Sequence, residues 1–249
     1  MAINKKLIHF KNKENFDTEV ANGNILDSSI VFIQDSKEIS THGTVYKTVN
    51  WSVLEKPGLY EWVDLGLPSG LKWAAWNVGA TKPEEYGLYF AWGETEGYED
   101  ITNDKQFTWD DYKFGTEDTL TKYNNVDGLT LLELEDDAAY QSDNTCRMPT
   151  KEELEELTAN TTLTEETLNG VNGVRFTSKI NGNSIFVPVA GFSSNGSVAI
   201  LGPCGFLWSS SLYSDTPNEA WYLYFSPDDV YMNYDSRYCG FSVRPVKSK

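Results

Sequence analysis

From Tyr60 onward the chain is written as short apolar runs separated by turn residues, and this pattern limits the fold more than any other feature. Val63-Asp64-Leu65-Gly66-Leu67 meets the turn Pro68-Ser69-Gly70 and continues as Leu71-Lys72-Trp73-Ala74-Ala75-Trp76, which reads as a hairpin. Residues 93–128, rich in Gly, Asp, Asn and Thr, read as long surface loops. Beyond residue 170 strands and turns alternate: Val174-Arg175-Phe176, Ile185-Phe186-Val187-Pro188, Leu207-Trp208-Ser209 and Ala220 to Phe225. Two stretches carry a helical period. Thr130 to Tyr140 places Leu131, Leu134 and Ala138 at helical spacing. Pro149 to Leu157 opens with Thr150 as N-cap and Glu153 three residues on, a capping box, and its early glutamates suit the positive end of the helix dipole. The expected fold is α+β, with two helices and a loop-rich antiparallel sheet.

Residues 1–56 read as a separate module, bounded by Val53 to Gly58 with its Pro57-Gly58, so the main domain is expected over 57–249. Leu7-Ile8-His9-Phe10 is a strand candidate. Asn12 to Asn22 is helix-tolerant, with Phe16 and Val20 on one face and Gly23 as the stop. Ser29-Ile30-Val31-Phe32-Ile33 turns at Asp35-Ser36 into Glu38 to Gly43, giving a hairpin with a helix beside it. So short a module buries little core and leans on a partner chain or on the next domain.

A net charge of −17 argues against nucleic acid or an anionic membrane as partner, since both need a basic patch. The acid is uneven. Residues 94–166 hold 21 of the 37 acidic side chains and five basic ones, whereas 204–249 hold five acids and four bases. The three cysteines, Cys146, Cys204 and Cys239, are too few and scattered for a disulfide framework, and an odd count fits a reducing compartment, although a Cys204–Cys239 bridge stays open. The opening Met1-Ala2-Ile3-Asn4-Lys5-Lys6-Leu7 lacks the apolar stretch of a signal peptide. No run approaches the ~18 apolar residues of a membrane span. The expectation is a soluble chain made in the cytoplasm.

The requirements of catalysis are poorly met. His9 and His42 both lie in the N-terminal module, so no Ser-His or Cys-His pair can form wholly within the main domain. No two Cys or His residues sit at zinc spacing, and no phosphate-cradling glycine loop, dinucleotide fingerprint or EF-hand is present. Glu135-Asp136-Asp137 and Asp228-Asp229 are the remaining carboxylate clusters, and adjacent acids are expected by chance in so acidic a chain. No catalytic residue, metal or cofactor is expected.

With 8 Trp and 14 Tyr, the chain has more large aromatics than a core needs, and surplus Tyr and Trp mark recognition surfaces. In Ala220-Trp221-Tyr222-Leu223-Tyr224-Phe225, strand alternation puts Trp221, Leu223 and Phe225 on a core face. Tyr222 and Tyr224 fall on the other. Tyr231, Asn233, Tyr234, Asp235, Ser236 and Tyr238 follow, with only Val230 and Met232 as clear core candidates. This mixture resembles an antibody paratope.

Tyr60 to Asn77 resembles the opening of a C-type-lectin-fold domain family akin to formylglycine-generating-enzyme folds, common in gut anaerobes and their phages. Tyr89-Phe90-Ala91-Trp92-Gly93-Glu94-Thr95, Arg147-Met148-Pro149-Thr150, Trp208-Ser209-Ser210-Ser211 and Ser242-Val243-Arg244-Pro245-Val246 match its later landmarks in order, so the resemblance covers about residues 60–249. Some members are variable proteins of diversity-generating retroelements, in which mutated template adenines scatter Tyr, Ser, Asp, Phe, Leu, Cys and Asn over asparagine codons. The resemblance implies a constant scaffold. Its rigid part would include Trp73, Trp92, Trp208, Trp221 and Val243. The ligand-contacting positions would be Leu212, Tyr213, Ser214, Tyr222, Tyr224, Tyr231, Asn233, Tyr234, Asp235, Ser236, Tyr238 and Phe241. The Glu-Pro-Asn, Gln-Pro-Asp and Trp-Asn-Asp motifs of calcium-dependent sugar-binding lectins are absent, so that activity is not implied. Lys6 to Phe10, Asn24 to Ile33 and Thr41-His42-Gly43 resemble attachment modules of phage tail proteins.

Together these imply a non-catalytic receptor-binding protein or variable adhesin. Its partner would be a cell-surface protein or glycan of a host bacterium. It would be a homo-oligomer, with a trimer expected first, located on a phage tail or, second, on a bacterial surface. The rivals are an oxidase-like enzyme of the same fold, which needs a functional Cys204/Cys239 pair, and a structural tail or surface subunit.

Overall fold

The computed structural model describes residues 59–99, 105–199 and 204–248, together with the backbone of four strands before residue 59. The chain divides into two compact units, 1–58 and 59–249. In the first, β1 (Leu7–Phe10), β2 (Ile30–Ile33), β3 (Glu38–Thr41) and β4 (Thr44–Tyr46) form one sheet in that order. The β1–β2 pair is parallel and the others are antiparallel. The helix expected over Asn12 to Asn22 lies outside the described residues.

The second unit begins with the hairpin of β5 (Trp62–Asp64) and β6 (Lys72–Ala74). Gly70, at φ +71, donates its N–H to Leu67 O at 2.8 Å and closes the turn. The last strand, β15 (Val246–Lys247), pairs antiparallel with β6, placing Val246 opposite Trp73. Beginning and end of the unit are thereby pinned together, and Arg147 and Val246 exchange backbone hydrogen bonds of 3.0 and 2.9 Å beside them.

The expected helix after Pro149 forms as α2 (Lys151–Asn160), which follows α1 (Ala138–Ser142). Both halves of the α2 capping box are made: Glu153 N donates to Thr150 Oγ1 and Thr150 N donates to Glu153 Oε2 at 2.8 Å. Arg147 forks onto the same Glu153 at 2.7 and 2.6 Å. The helix expected over Thr130 to Tyr140 forms only in its second half, because its first residues find a better partner. Leu132 N donates to Ser210 O, and Leu212 N to Thr130 O, so residues 130–132 run as extended chain along another strand. Leu131 and Leu134 are left exposed and only Leu132 is buried. Helical structure resumes with a 3-10 turn over Leu134–Asp136, and the Asp137 carboxylate then caps α1 through Tyr140 N.

Three strands after α2 build a second sheet: β7 (Thr161–Leu168), β8 (Val171–Ser178) and β9 (Ser184–Pro188). A short pair follows, β10 (Phe192–Ser194) with β11 (Ser197–Ala199). The last large sheet is β12 (Gly205–Leu212), β13 (Glu219–Phe225) and β14 (Val230–Ser236), all antiparallel. The unit is α+β, with two α-helices among the described residues.

Two apolar clusters meet this last sheet from opposite sides. Trp92, Trp208, Tyr222 and Phe241 belong to one. Trp73, Leu154, Leu157, Leu207, Leu223 and Phe225 belong to the other, roofed by α2. The stretch read as surface loops is irregular, yet it supplies Phe107, Tyr112, Phe114 and Tyr123 to the first cluster. Phe107 and Tyr123 sit at φ +52 and +59, which costs a bulky residue about 1–3 kcal/mol and persists only where packing enforces it.

Candidate binding face

The register of the last sheet decides which predicted residues share a surface. Rows across the strands run Phe206–Tyr224–Tyr231, Trp208–Tyr222–Asn233 and Leu212–Ala220–Asp235 on one face. The opposite face carries Leu207–Leu223–Met232, Trp221–Tyr234 and Glu219–Ser236, and α2 packs there. The expected single recognition surface is therefore split by strand alternation.

Three predicted contacts are core residues instead. Leu212, Tyr222 and Phe241 are 5%, 5% and 1% exposed. The face that alternation alone leaves open is covered by the chain after β14. Phe90 N donates to Phe241 O at 3.0 Å and Trp208 N to Ser242 O at 3.0 Å, which lays the Phe241 ring on Trp208 at 4.2 Å and beside Tyr222 at 4.8 Å. Trp221 is corrected in the other direction. It shares a face with Leu223 and Phe225, as expected, but lies beyond their cluster and is only half-buried.

The remaining predicted residues reach solvent at two places. Tyr231 (43% exposed) stacks at 4.8 Å on half-buried Tyr224, which is itself edge-on to Phe206 at 5.6 Å, and half-buried Asn233 and Asp235 follow along β14. Tyr238 lies nearby, edge-on to Trp109 at 5.1 Å. On the helix side, Tyr213 and Tyr234 stack at 3.8 Å, both edge-on to Trp221, with Lys151 Nζ 4.5 Å above the Trp221 ring. Ser214 is exposed beside Tyr213, and Ser236 is half-buried. Phe206 and Trp109 were not anticipated. Extending the Leu207-Trp208-Ser209 strand back by one residue would have placed Phe206 in register with Tyr224.

β14 is the outer strand of its sheet among the described residues, yet its edge is blunted. The N–H groups of Val230, Tyr234 and Ser236 donate to the side-chain oxygens of Asp229, Asn233 and Asp235 at 3.0, 3.0 and 2.7 Å. An incoming strand would find these donors taken. Burial pushes the Asp235 carboxyl above its ordinary pKa, and that of Glu219 rises through burial and the nearby charges of Asp235 and Glu117.

The frame beneath is locked by two fully buried arginines, which the sequence reading passed over. Arg237 donates to Tyr112 Oη and to the carbonyls of Tyr123, Pro217 and Lys122 at 2.8–3.1 Å, with Trp92 5.0 Å from its guanidinium. Arg244 donates to Asn77 Oδ1, Ala74 O and Phe186 O, and burial lowers its pKa to about 9. Carbonyls and ring faces take the place that carboxylates usually fill around a buried cation.

Other chemistry is accounted for within the fold. All three thiols are unbridged and buried, and burial raises each pKa, that of Cys146 to about 12. Such thiols are poor nucleophiles. Glu133, Glu135 and Asp136 converge closely enough to hold an ion, but Lys122 Nζ stands 2.6, 2.8 and 2.7 Å from them. Asp137 is spent on Tyr140 N and Met148 N. A shallow cleft of about 440 Å³ lies between Glu117, Asn125, Val126 and Asn218, and none of the predicted residues lines it. No helix among the described residues is long and apolar enough to cross a membrane. No protein family matches the chain, and neither a curated protein nor a solved structure matches it.

Proposed function

We propose that residues 59–249 are a non-catalytic binding domain of the C-type-lectin type, related to the variable proteins of diversity-generating retroelements. It displays its ligand-contacting side chains on β13, β14 and the loop after β12. The reading rests on one observation: exposed tyrosines are mounted on a frame whose interior is fixed independently of them. Tyr231, Tyr234 and half-buried Tyr213 offer stacking area and a hydroxyl each, while Asn233, Ser214 and Ser236 offer directed hydrogen bonds. Trp208, Phe241, Arg237 and Arg244 hold the backbone under them without using those side chains. Buried, unbridged thiols with raised pKa favour binding over a thiol-based oxidase. In the fuller proposal the first unit attaches the domain to a phage tail or a bacterial surface as a homo-oligomer, and the ligand is a surface molecule of a host bacterium.

The test is adsorption of the fluorescently labelled full chain to a panel of intact anaerobic gut bacteria. A strain that binds the parent chain should lose binding of the Tyr231→Ala/Asn233→Ala and Tyr213→Ala/Tyr234→Ala double variants at unchanged melting temperature. Undiminished adsorption of both variants overturns the reading.

A further inference from the structure

Counted along the sequence, residues 204–249 are close to neutral, but the folded surface is not. Three of the four basic residues are described: Arg237 and Arg244 are fully buried, and Lys247 lies over Trp62, 4.5 Å from its ring. The five acids remain at the surface or near it: Asp215, Asp228 and Asp229 are exposed, and Glu219 and Asp235 are half-buried. Among the described residues none of the five is in an ion pair. Among the described residues, folding has withdrawn the cations of this segment and left its anions.

The row Tyr231, Asn233, Asp235 sits within this acidic rim. Alternate residues on a strand are roughly 7 Å apart, so the row spans about 13 Å, from the stacked Tyr224–Tyr231 pair to the Asp235 carboxylate. Asp228 and Asp229 stand at the turn beside the tyrosine end. Tyrosine ring faces attract cations, and a half-buried carboxylate without a counter-charge is repaid by one. The side-chain bonds on Val230, Tyr234 and Ser236 oppose edge pairing and favour recognition through side chains.

We infer that the Tyr224–Tyr231–Asn233–Asp235 strip docks a basic polypeptide segment, with an arginine or lysine over the tyrosine pair and a second cation at Asp235. This rests on the reading of that strip as a binding face and narrows its occupant to a protein rather than an anionic glycan or lipid surface. The net charge of −17 would steer such a partner inward from a distance.

The probe is a short peptide of alternating arginine and glycine, titrated against the full chain at moderate salt, with a glutamate–glycine peptide as control. Asp235→Asn keeps the acceptor for Ser236 N and Tyr231→Ala alters an exposed ring, so each should fold and each should weaken the arginine peptide roughly tenfold. Asp228→Asn, whose side chain is exposed, should weaken it about twofold. Glu165→Gln, exposed on β7, should leave affinity unchanged and so separates local recognition from the overall charge. Failure of the parent to bind the peptide, equal binding of the acidic peptide, or an equal loss in Glu165→Gln overturns the inference. If those failures occur while cell adsorption still depends on Tyr231, the binding face stands and only its occupant is wrong. If adsorption ignores Tyr231 and its neighbours, the binding face itself falls.

Discussion

Tyr222 and Tyr231 carry the same side chain on the same face of one sheet, in adjacent rows, and their surroundings differ sharply. Tyr222 is enclosed by Trp208, Phe206 and Phe241, so Tyr222→Ala should cost about 3 kcal/mol in chemical denaturation. Tyr231→Ala loses one exposed stacking partner and should cost less than about 1 kcal/mol by the same assay. Alternation along 220–225 was legible in the sequence. The cover supplied by residues 237–243 was not, because it depends on contacts between distant segments. Asp235 gives a further prediction with a defined sign. Its folded pKa is raised, so its contribution to stability is fully present below the ordinary Asp pKa of about 3.9 and is lost as pH rises through the folded value. Asp235→Asn removes that loss. Denaturation midpoints should show the variant more stable than the parent at neutral pH, with the gain vanishing near pH 4 and below. A variant that becomes more stable yet binds the basic peptide worse would show that this carboxylate is kept for recognition.

At the scale of elements, local signals succeed where the chain decides its own conformation and fail where a neighbour decides it. The α2 capping box needs only residues three apart, and it forms as read. Thr150→Ala removes the acceptor for Glu153 N and should lower stability by about 1 kcal/mol, measured by urea titration. The leucine spacing over Thr130 to Tyr140 is equally helical on paper, but the open edge of β12 offers residues 130–132 hydrogen bonds that a helix would have to forgo. β7 carries no strong strand signal of its own, because Thr161–Leu168 is largely polar and is held by pairing with β8. Gly240 shows a tighter constraint within the segment after β14: a Cβ there would fall 2.5 Å from the Phe107 ring. Gly240→Ala should therefore displace Phe107 and lower the melting temperature, although it adds a single methyl group.

For the whole molecule, the last forty-odd residues divide into a buried frame and the side chains it leaves at the surface. Arg237 ties the frame together. It joins the loop carrying Tyr112 and Tyr123 to the turn at Pro217, and Arg237→Ala would leave three carbonyls and a hydroxyl without their buried donor, at a cost of about 3 kcal/mol or more. The α+β architecture could be read from periodicity and turn residues. The division could not, since variable-looking composition runs unbroken from Tyr231 to Phe241 while the fold alternates exposed and buried positions within it. The direct test of that division is deep sequencing of this gene's 3′ end across a population that carries it. Variation is expected at Tyr213, Ser214, Tyr224, Tyr231, Asn233 and Tyr234, with Trp208, Leu212, Tyr222, Arg237, Gly240, Phe241 and Arg244 unchanged. Variation spread evenly over both groups, or an invariant segment throughout, would contradict a diversified binding face built on a fixed frame.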